Sequence, residues 1–197
     1  MTILHLSDTH NKHNLLKDLP KSDIIIHSGD VSEDGTESEV LDFLQWFCSL
    51  NYAHKIFIAG NHDFCLDGGL IEGLPENVHY LCHTGVEIAG IKFWGVPSLL
   101  SSELHGSTAH EIAQIPQNTD VLISHQPPYG ILDYKHNLHF GNPELLKAVE
   151  RIQPRYHLFG HIHKNYGIQK IGATTFVNAA ITSGKSKIMN TPFLLEM

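Results

Sequence analysis

Five short apolar runs punctuate the sequence, and each stops abruptly at polar residues: "TILHL" (2–6), "DIIIH" (23–27), "KIFIA" (55–59), "DVLIS" (120–124) and "YHLFG" (156–160). Their length and β-branched content predict buried strands. Helical patterns lie between them. Thr36 and Glu39 form a capping box ahead of Val40, Phe43, Leu44 and Phe47, which share one helical face. Asn142 and Pro143 predict an N-cap and first turn, with Leu145, Leu146 and Val149 turned inward. A third helix is predicted over residues 102–113. The close-spaced runs "VHYL", "TGVEIAG" and "IKFWGV" predict a meander or hairpin with Gly90 at a turn, and the tail, "GIQKIGATTFVNAA" and "TPFLLEM", adds further strands. The pattern therefore predicts α/β units first and antiparallel strands later. One domain over residues 1–197 suffices, with mixed sheets inside and helices outside.

Composition narrows the function classes. The net charge of -8 disfavours broad binding to nucleic acid or an anionic membrane, either of which needs a basic surface. An acidic protein can still take a phosphate ester if metal ions supply local positive charge. Cys48, Cys65 and Cys82 form no C-x-x-C pair, and an odd number cannot close into a full disulfide set, so reduced thiols are expected. The start, "MTILHLSDTH", has no basic segment followed by a long apolar one, and no run approaches the ~20 residues of a membrane span. A cytoplasmic protein is expected.

The chemistry sits where the apolar runs end. "LHLS" leads into Asp8-Thr9-His10, "IIIHSG" into Asp30, "IFIAG" into Asn61-His62-Asp63, "VLIS" into His125, and "HLFG" into His161-Ile162-His163. Sites in α/β sheets assemble beyond the carboxyl ends of strands, so parallel neighbours would bring these tips together. Gly29, Gly60 and Gly160 let the backbone leave each strand sharply or approach a ligand closely. Asp8 and His10 are two residues apart, as are His161 and His163, so in extended backbone each pair points to one side. Imidazoles, carboxylates and an amide form a mixed O/N donor set suited to Mn, Fe, Zn or Ni rather than Ca or a thiolate-bound metal. Alone, "GNHD" reads equally well as a turn and "GHIH" as a surface loop; five such ends in one sequence point to a shared site. His5 and His27 are expected to be packed within strands. His13, His54, His79, His83, His105, His110, His136, His139 and His157 are expected to be structural or exposed.

The ordered series D-x-H, G-D, G-N-H-[DE], H and G-H-x-H, running from residue 8 to residue 163, resembles the calcineurin-like metallophosphoesterases. Longer matches, among them "SDTHN", "GDVSEDGTESEV", "IAGNHDF", "SHQPPYGILD" and "FGHIHKNYG", resemble the metallophosphodiesterase (MPPED-like) branch. The resemblance implies a four-layer α/β/β/α sandwich of two mixed sheets. It implies two divalent metal ions, with Mn the first expectation and Fe, Zn or Ni also suitable. By motif, Asp8, His10, Asp30 and His163 would hold one ion, and Asp30 would bridge to a second held by Asn61, His125 and His161. His62 would face the substrate, oriented by Glu33, Asp34 or Asp63. Two departures stand out. Gln126 replaces the glycine usual after the fourth-motif histidine, which would alter the pocket wall, and "GDVSEDG" lacks the phosphate-clamping arginine of the phosphoprotein phosphatases.

The implied activity is hydrolysis of small phosphodiesters such as cyclic nucleotides by a hydroxide generated between the two ions. Competing readings are a nuclease or phosphomonoesterase of the same family, and an inactive scaffold on the same fold. Asn11 and Tyr129 are further candidates for substrate binding, and Tyr129, Tyr134 and Phe140 could stack on a base. Leu99 and Leu100 are expected as exposed apolar residues.

Overall fold

The computed structural model describes residues 1–67, 69, 71–99, 101, 108–183 and 187–197. The fold opens with β1 (Thr2–Leu6), β2 (Ile24–His27), α1 (Glu37–Ser49), β3 (His54–Phe57) and β4 (Val78–Tyr80). These four strands lie side by side and all run parallel. A hairpin of β5 (Thr84–Ile88) and β6 (Ile91–Val96) starts a second sheet. It is continued through α2 (Thr108–Ala113), β7 (Val121–Ser124), a small hairpin of β8 (Tyr134–Lys135) and β9 (Leu138–His139), α3 (Pro143–Ile152), β10 (Tyr156–Phe159), β11 (Gly167–Ile171) and β12 (Thr174–Asn178). The last strand, β13 (Phe193–Glu196), returns to the first sheet antiparallel to β1. The sheet orders are β13-β1-β2-β3-β4 and β11-β12-β10-β7-β6-β5.

Alternation along the strands explains why the apolar runs lack a polar face. Ile3, Ile24, Ile26 and Ile56 point between the sheets, where they meet Val121, Ile123, Leu158 and Val177. Leu4, Leu6, Ile25 and Phe57 point the other way, onto Val40, Phe43 and Phe47 of α1. On the far side, Leu122, Phe159 and Phe176 are covered by Ile112 of α2 and by Leu145, Val149 and Ile152 of α3. Three apolar layers separate four structural layers, and each buried Leu, Ile or Phe contributes about 1.5–3 kcal/mol. The Thr36 capping box forms with both of its hydrogen bonds, and Asn142 caps α3 through Glu144 and Leu145 N–H. Leu44 and Leu146 are only half-buried, at the margins of their faces.

Three expectations change. The 78–96 segment is not one meander: β4 pairs in parallel with β3 in the first sheet, while β5 and β6 belong to the second. The later half is not mainly antiparallel either, because β6, β7, β10 and β12 are parallel and antiparallel strands occupy only the edges. Leu99 is buried rather than exposed. Leu100, His105 and residues 102–107 of the expected third helix fall outside the described residues.

Both sheets deliver their parallel strands to one end. There Ser7 N–H donates to the Ala179 carbonyl and Ile181 N–H to the Ser7 carbonyl, which ties the first sheet to the second just past β1 and β12.

Candidate metal centre

Beyond the strand ends the backbone turns with unusual geometry. Asp8, His10, Asp30 and His161 have φ of 57°, 41°, 57° and 66°, the left-handed region that L residues avoid. Such conformations cost about 1–3 kcal/mol each and persist only where surrounding structure enforces them. Here Asp8 N–H donates to the Gly29 carbonyl, His10 N–H to the Asp30 carbonyl, and both oxygens of the Asp8 carboxylate accept from His161 N–H at 3.0–3.1 Å. The glycines expected to allow sharp exits act chiefly by close approach. A Cβ on Gly160 would collide with the Asp8 carboxylate and Ser7 hydroxyl, one on Gly60 with Asp30, and one on Gly29 (φ 99°) with His125 Nδ1. Because Asp8, His10 and His161 are not extended, the two-apart rule fails for the second pair. His161 and His163 join different groups of side chains.

Those groups share one residue. Asp8, His10, Asp30 and His163 each present an atom within 4.8 Å of the others, and Asp30, His125 and His161 form a second such set. The donor atoms of the two groups crowd together with little solvent between them. His125 Nδ1 sits 2.9 Å from the Ser28 carbonyl oxygen, which fixes a proton there and turns Nε2 toward the cluster. That Nε2 lies 3.0 Å from Asn61 Oδ1 and 3.4 Å from Asp30 Oδ2, both acceptors. Likewise His10 Nε2 lies 3.4 Å from His163 Nε2 and 3.5 Å from Asp30 Oδ2, and His10 Nδ1 has no hydrogen-bond partner. Acceptors converging in a buried place call for a cation between them. The chemistry of this donor set fits two divalent ions with Asp30 between them.

Electrostatics agree. Burial alone would push the His125 pKa down, but the carboxylates of Asp30 and Asp8 outweigh it and raise it to about 10. Burial would similarly lower His163, yet its hydrogen bond to Asp8 (2.9 Å) leaves it raised. His161 is lowered to about 4 by burial and by the charge of His125. Burial would raise Asp8 and Asp30, but their hydrogen bonds to His163 and His125 and the nearby imidazolium charges hold both below the usual carboxylate range. Protons thus do, without metal, what cations would do better.

A family model described as calcineurin-like phosphoesterase matches residues 1–165. The chain belongs to that family. This calcineurin-like phosphoesterase is 33% identical to human metallophosphoesterase domain-containing protein 1, over 98% of its own length and 69% of the relative. It is 27% identical to a probable cyclic nucleotide phosphodiesterase of Synechococcus, over 82% of its own length and 65% of the relative. The crystal structure of TT1561 of Thermus thermophilus superposes with a TM-score of 0.64 at 14% identity, covering 91% of this protein and 88% of the other, which shows the shared fold. Members of the family are hydrolases that use a dinuclear metal centre; this protein is a phosphoesterase hydrolase, and two of its side-chain groups could each hold a metal ion.

The phosphoesterase site opens into a cleft of about 430 Å³. His10, Asp30, Asn61, His62, His161 and His163 reach its wall, while Asp8 and His125 are fully buried behind it. His62 is oriented by none of the three carboxylates expected. Its Nδ1 donates to the backbone carbonyl of Glu33 at 2.7 Å, and its own N–H donates to Asp30 Oδ1 at 2.9 Å. Asp63 instead accepts from Gly60, Val31 and Ser32 N–H and from the Ser32 hydroxyl, lashing the Asp30 and Asn61 loops together. Asp34 contributes only a backbone N–H to the Glu39 carboxylate.

Asn11 and Tyr129 do not line the cleft. Asn11 takes a left-handed turn (φ 59°) with its N–H on the Val31 carbonyl. The rings of Tyr129 and Tyr134 pack near His139, 5.2 and 5.3 Å between centroids, so the aromatic loop satisfies itself. Gln126 borders a separate small crevice beside Ser98 and Leu145, leaving the cleft wall unaltered. Sequence reasoning missed Lys135, Lys164, Thr182 and Ser183, which do line the cleft. The Thr182 segment reaches the motifs through the contact of Thr182 Oγ1 with the Asp8 carbonyl (2.8 Å) and the Ser7–Ala180 bridge, pairings across more than 170 residues that leave no local signal.

Proposed function

We propose that this protein hydrolyses small phosphodiesters, cyclic nucleotides among them, with Asp8, His10, Asp30 and His163 holding one divalent cation and Asp30, Asn61, His125 and His161 a second. The observation that carries the reading is the convergence of imidazole nitrogens, carboxylates and an amide oxygen around Asp30, in a buried place that calls for positive charge. Two such cations supply Lewis acidity and activate water at neutral pH. The donor set favours Mn, with Fe, Zn or Ni also compatible.

The protein's own groups do the rest. Asp30 turns Oδ2 toward both His10 (3.5 Å) and His125 (3.4 Å) while its Oδ1 is pinned by His62 N–H. The Ser28 carbonyl holds the His125 ring in one tautomer. With Nδ1 engaged by Glu33, His62 presents Nε2 to the cleft, where a protonated ring donates to the leaving oxygen as the phosphorus–oxygen bond breaks. The name of the Synechococcus relative supports a cyclic nucleotide substrate. Residues 1–197 act as one unit, since β13 completes the sheet that β1 begins. Free Cys48, Cys65 and Cys82 favour a reducing, cytoplasmic setting, and no described helix is long and apolar enough to cross a membrane.

The test is a panel of bis-nitrophenyl phosphate, nitrophenyl phosphate, cyclic nucleotides and single-stranded DNA, each with Mn²⁺ and then with chelator. Diester and cyclic nucleotide hydrolysis that chelator abolishes is expected. Hydrolysis of none of them with Mn²⁺ present would leave the fold as a scaffold.

A further inference from the structure

Two lysines stand on one wall of the cleft in a protein whose net charge is -8. Lys135 ends the short strand β8, and Lys164 follows His163 directly. They are brought to one wall by a reciprocal amide latch. Tyr134 N–H donates to Asn165 Oδ1 and Asn165 Nδ2 donates to the Tyr134 carbonyl, both at 2.7 Å. The loop that carries Lys135 is stiffened by buried Asp133, which accepts from Gly130 and Gly141 N–H at 2.9 Å and from His139. Neither lysine enters an ion pair among the described residues, and both are exposed to the cleft mouth.

The cleft also carries the other sign. Glu33 lines the cleft beside His62, and its carboxylate lies 3.8 Å from His10 Nδ1. Charge in the cleft is therefore divided, positive where β8 reaches it and negative beside His62. The scissile phosphate belongs at the floor, against Asp30 and the imidazoles. Cations gathered at a cleft mouth attract an anion that reaches it and raise its local concentration.

We propose that Lys135 and Lys164 form a second anion subsite, so that the preferred substrate is a phosphodiester bearing a further phosphate or carboxylate on one of its two ester groups. This deepens the phosphodiesterase reading and rests on it. The pair fixes substrate direction as well: the extra anion lies on the β8 side, and hydroxyl-rich or uncharged groups face Glu33.

The matched dinucleotides TpT and pTpT, which differ by one terminal phosphate, test the idea in the Mn²⁺-loaded full-length protein. Wild type should show kcat/KM about tenfold or more higher for pTpT, through KM, and the advantage should shrink with added salt. Lys135→Gln with Lys164→Gln together should bring the ratio to about one, whereas Lys135→Arg with Lys164→Arg should restore it. Thymidine 3′,5′-bisphosphate should likewise inhibit wild type more strongly than thymidine 5′-phosphate, and lose that advantage in the Gln pair. Turnover of TpT with a wild-type ratio near one, or a preference that survives in the Gln pair, overturns the subsite alone. Failure to hydrolyse either dinucleotide or bis-nitrophenyl phosphate overturns the phosphodiesterase reading and the subsite with it.

Discussion

His62 has two separable jobs, because its backbone N–H holds Asp30 Oδ1 while its ring points Nε2 into the cleft. His62→Ala removes only the ring. Turnover should fall by about 10²–10⁴ with both ions retained, as elemental analysis would show; a variant that loses its ions would make His62 a ligand instead. Gly160 offers a complementary case. A methyl there meets the Asp8 carboxylate and Ser7 hydroxyl, so Gly160→Ala should weaken Mn²⁺ binding by roughly tenfold or more, and a calorimetric titration matching wild type would contradict that. At this scale the sequence was most legible for residues adjacent to strand ends, such as Asp30 and His125. Their residue types announce their chemistry. Lys135 and Lys164 stayed hidden because only the Asn165–Tyr134 latch, a tertiary contact, puts them on one wall. The orienting partner of His62 was missed for a related reason: it is a backbone carbonyl, and carbonyls leave no mark in a sequence.

Among the elements, the strands were readable from their apolar runs and α1 from its capping box, since both are local signals. Sheet membership was not. Val78–Tyr80 and Thr84–Ile88 are close in sequence but lie in different sheets, because parallel pairing with β3 captures the first and a tight hairpin the second. The left-handed turns at Asp8, Asp30 and His161 were equally invisible: Asp and His tolerate that region better than most side chains, but here the crossing backbones impose it. His157 on β10 shows how an element ties stability to pH. It is fully buried, its Nε2 lies 2.8 Å from Ser124 Oγ, and burial lowers its pKa to about 3. Above pH ~6.5 neither the folded nor the unfolded protein protonates it; below that, only the unfolded form does, so stability falls as pH drops toward 3. At pH 5 this one group costs about 2 kcal/mol. Urea denaturation should find His157→Gln less stable than wild type at pH 7.5, with the gap narrowed by about that amount at pH 5. A gap unchanged between the two would show that His157 is not held neutral.

For the whole molecule, two sheets stitched at Ser7 and Ala180 bring residues as distant as Asp8 and His163 within 2.9 Å. The sandwich explains the division of labour. The three apolar layers make the framework rigid, and the left-handed turns at its open end are tolerated because hydrogen bonds such as His161 N–H to Asp8 lock them. What the framework produces is two adjacent groups of candidate metal ligands with Asp30 common to both. Electron paramagnetic resonance of the Mn²⁺-loaded protein tests this most directly. Two ions per molecule with an exchange-coupled multiline spectrum are expected, and Asp30→Asn should abolish the coupling. One ion per molecule, or two that give only isolated-ion signals in the wild-type protein, would contradict the account.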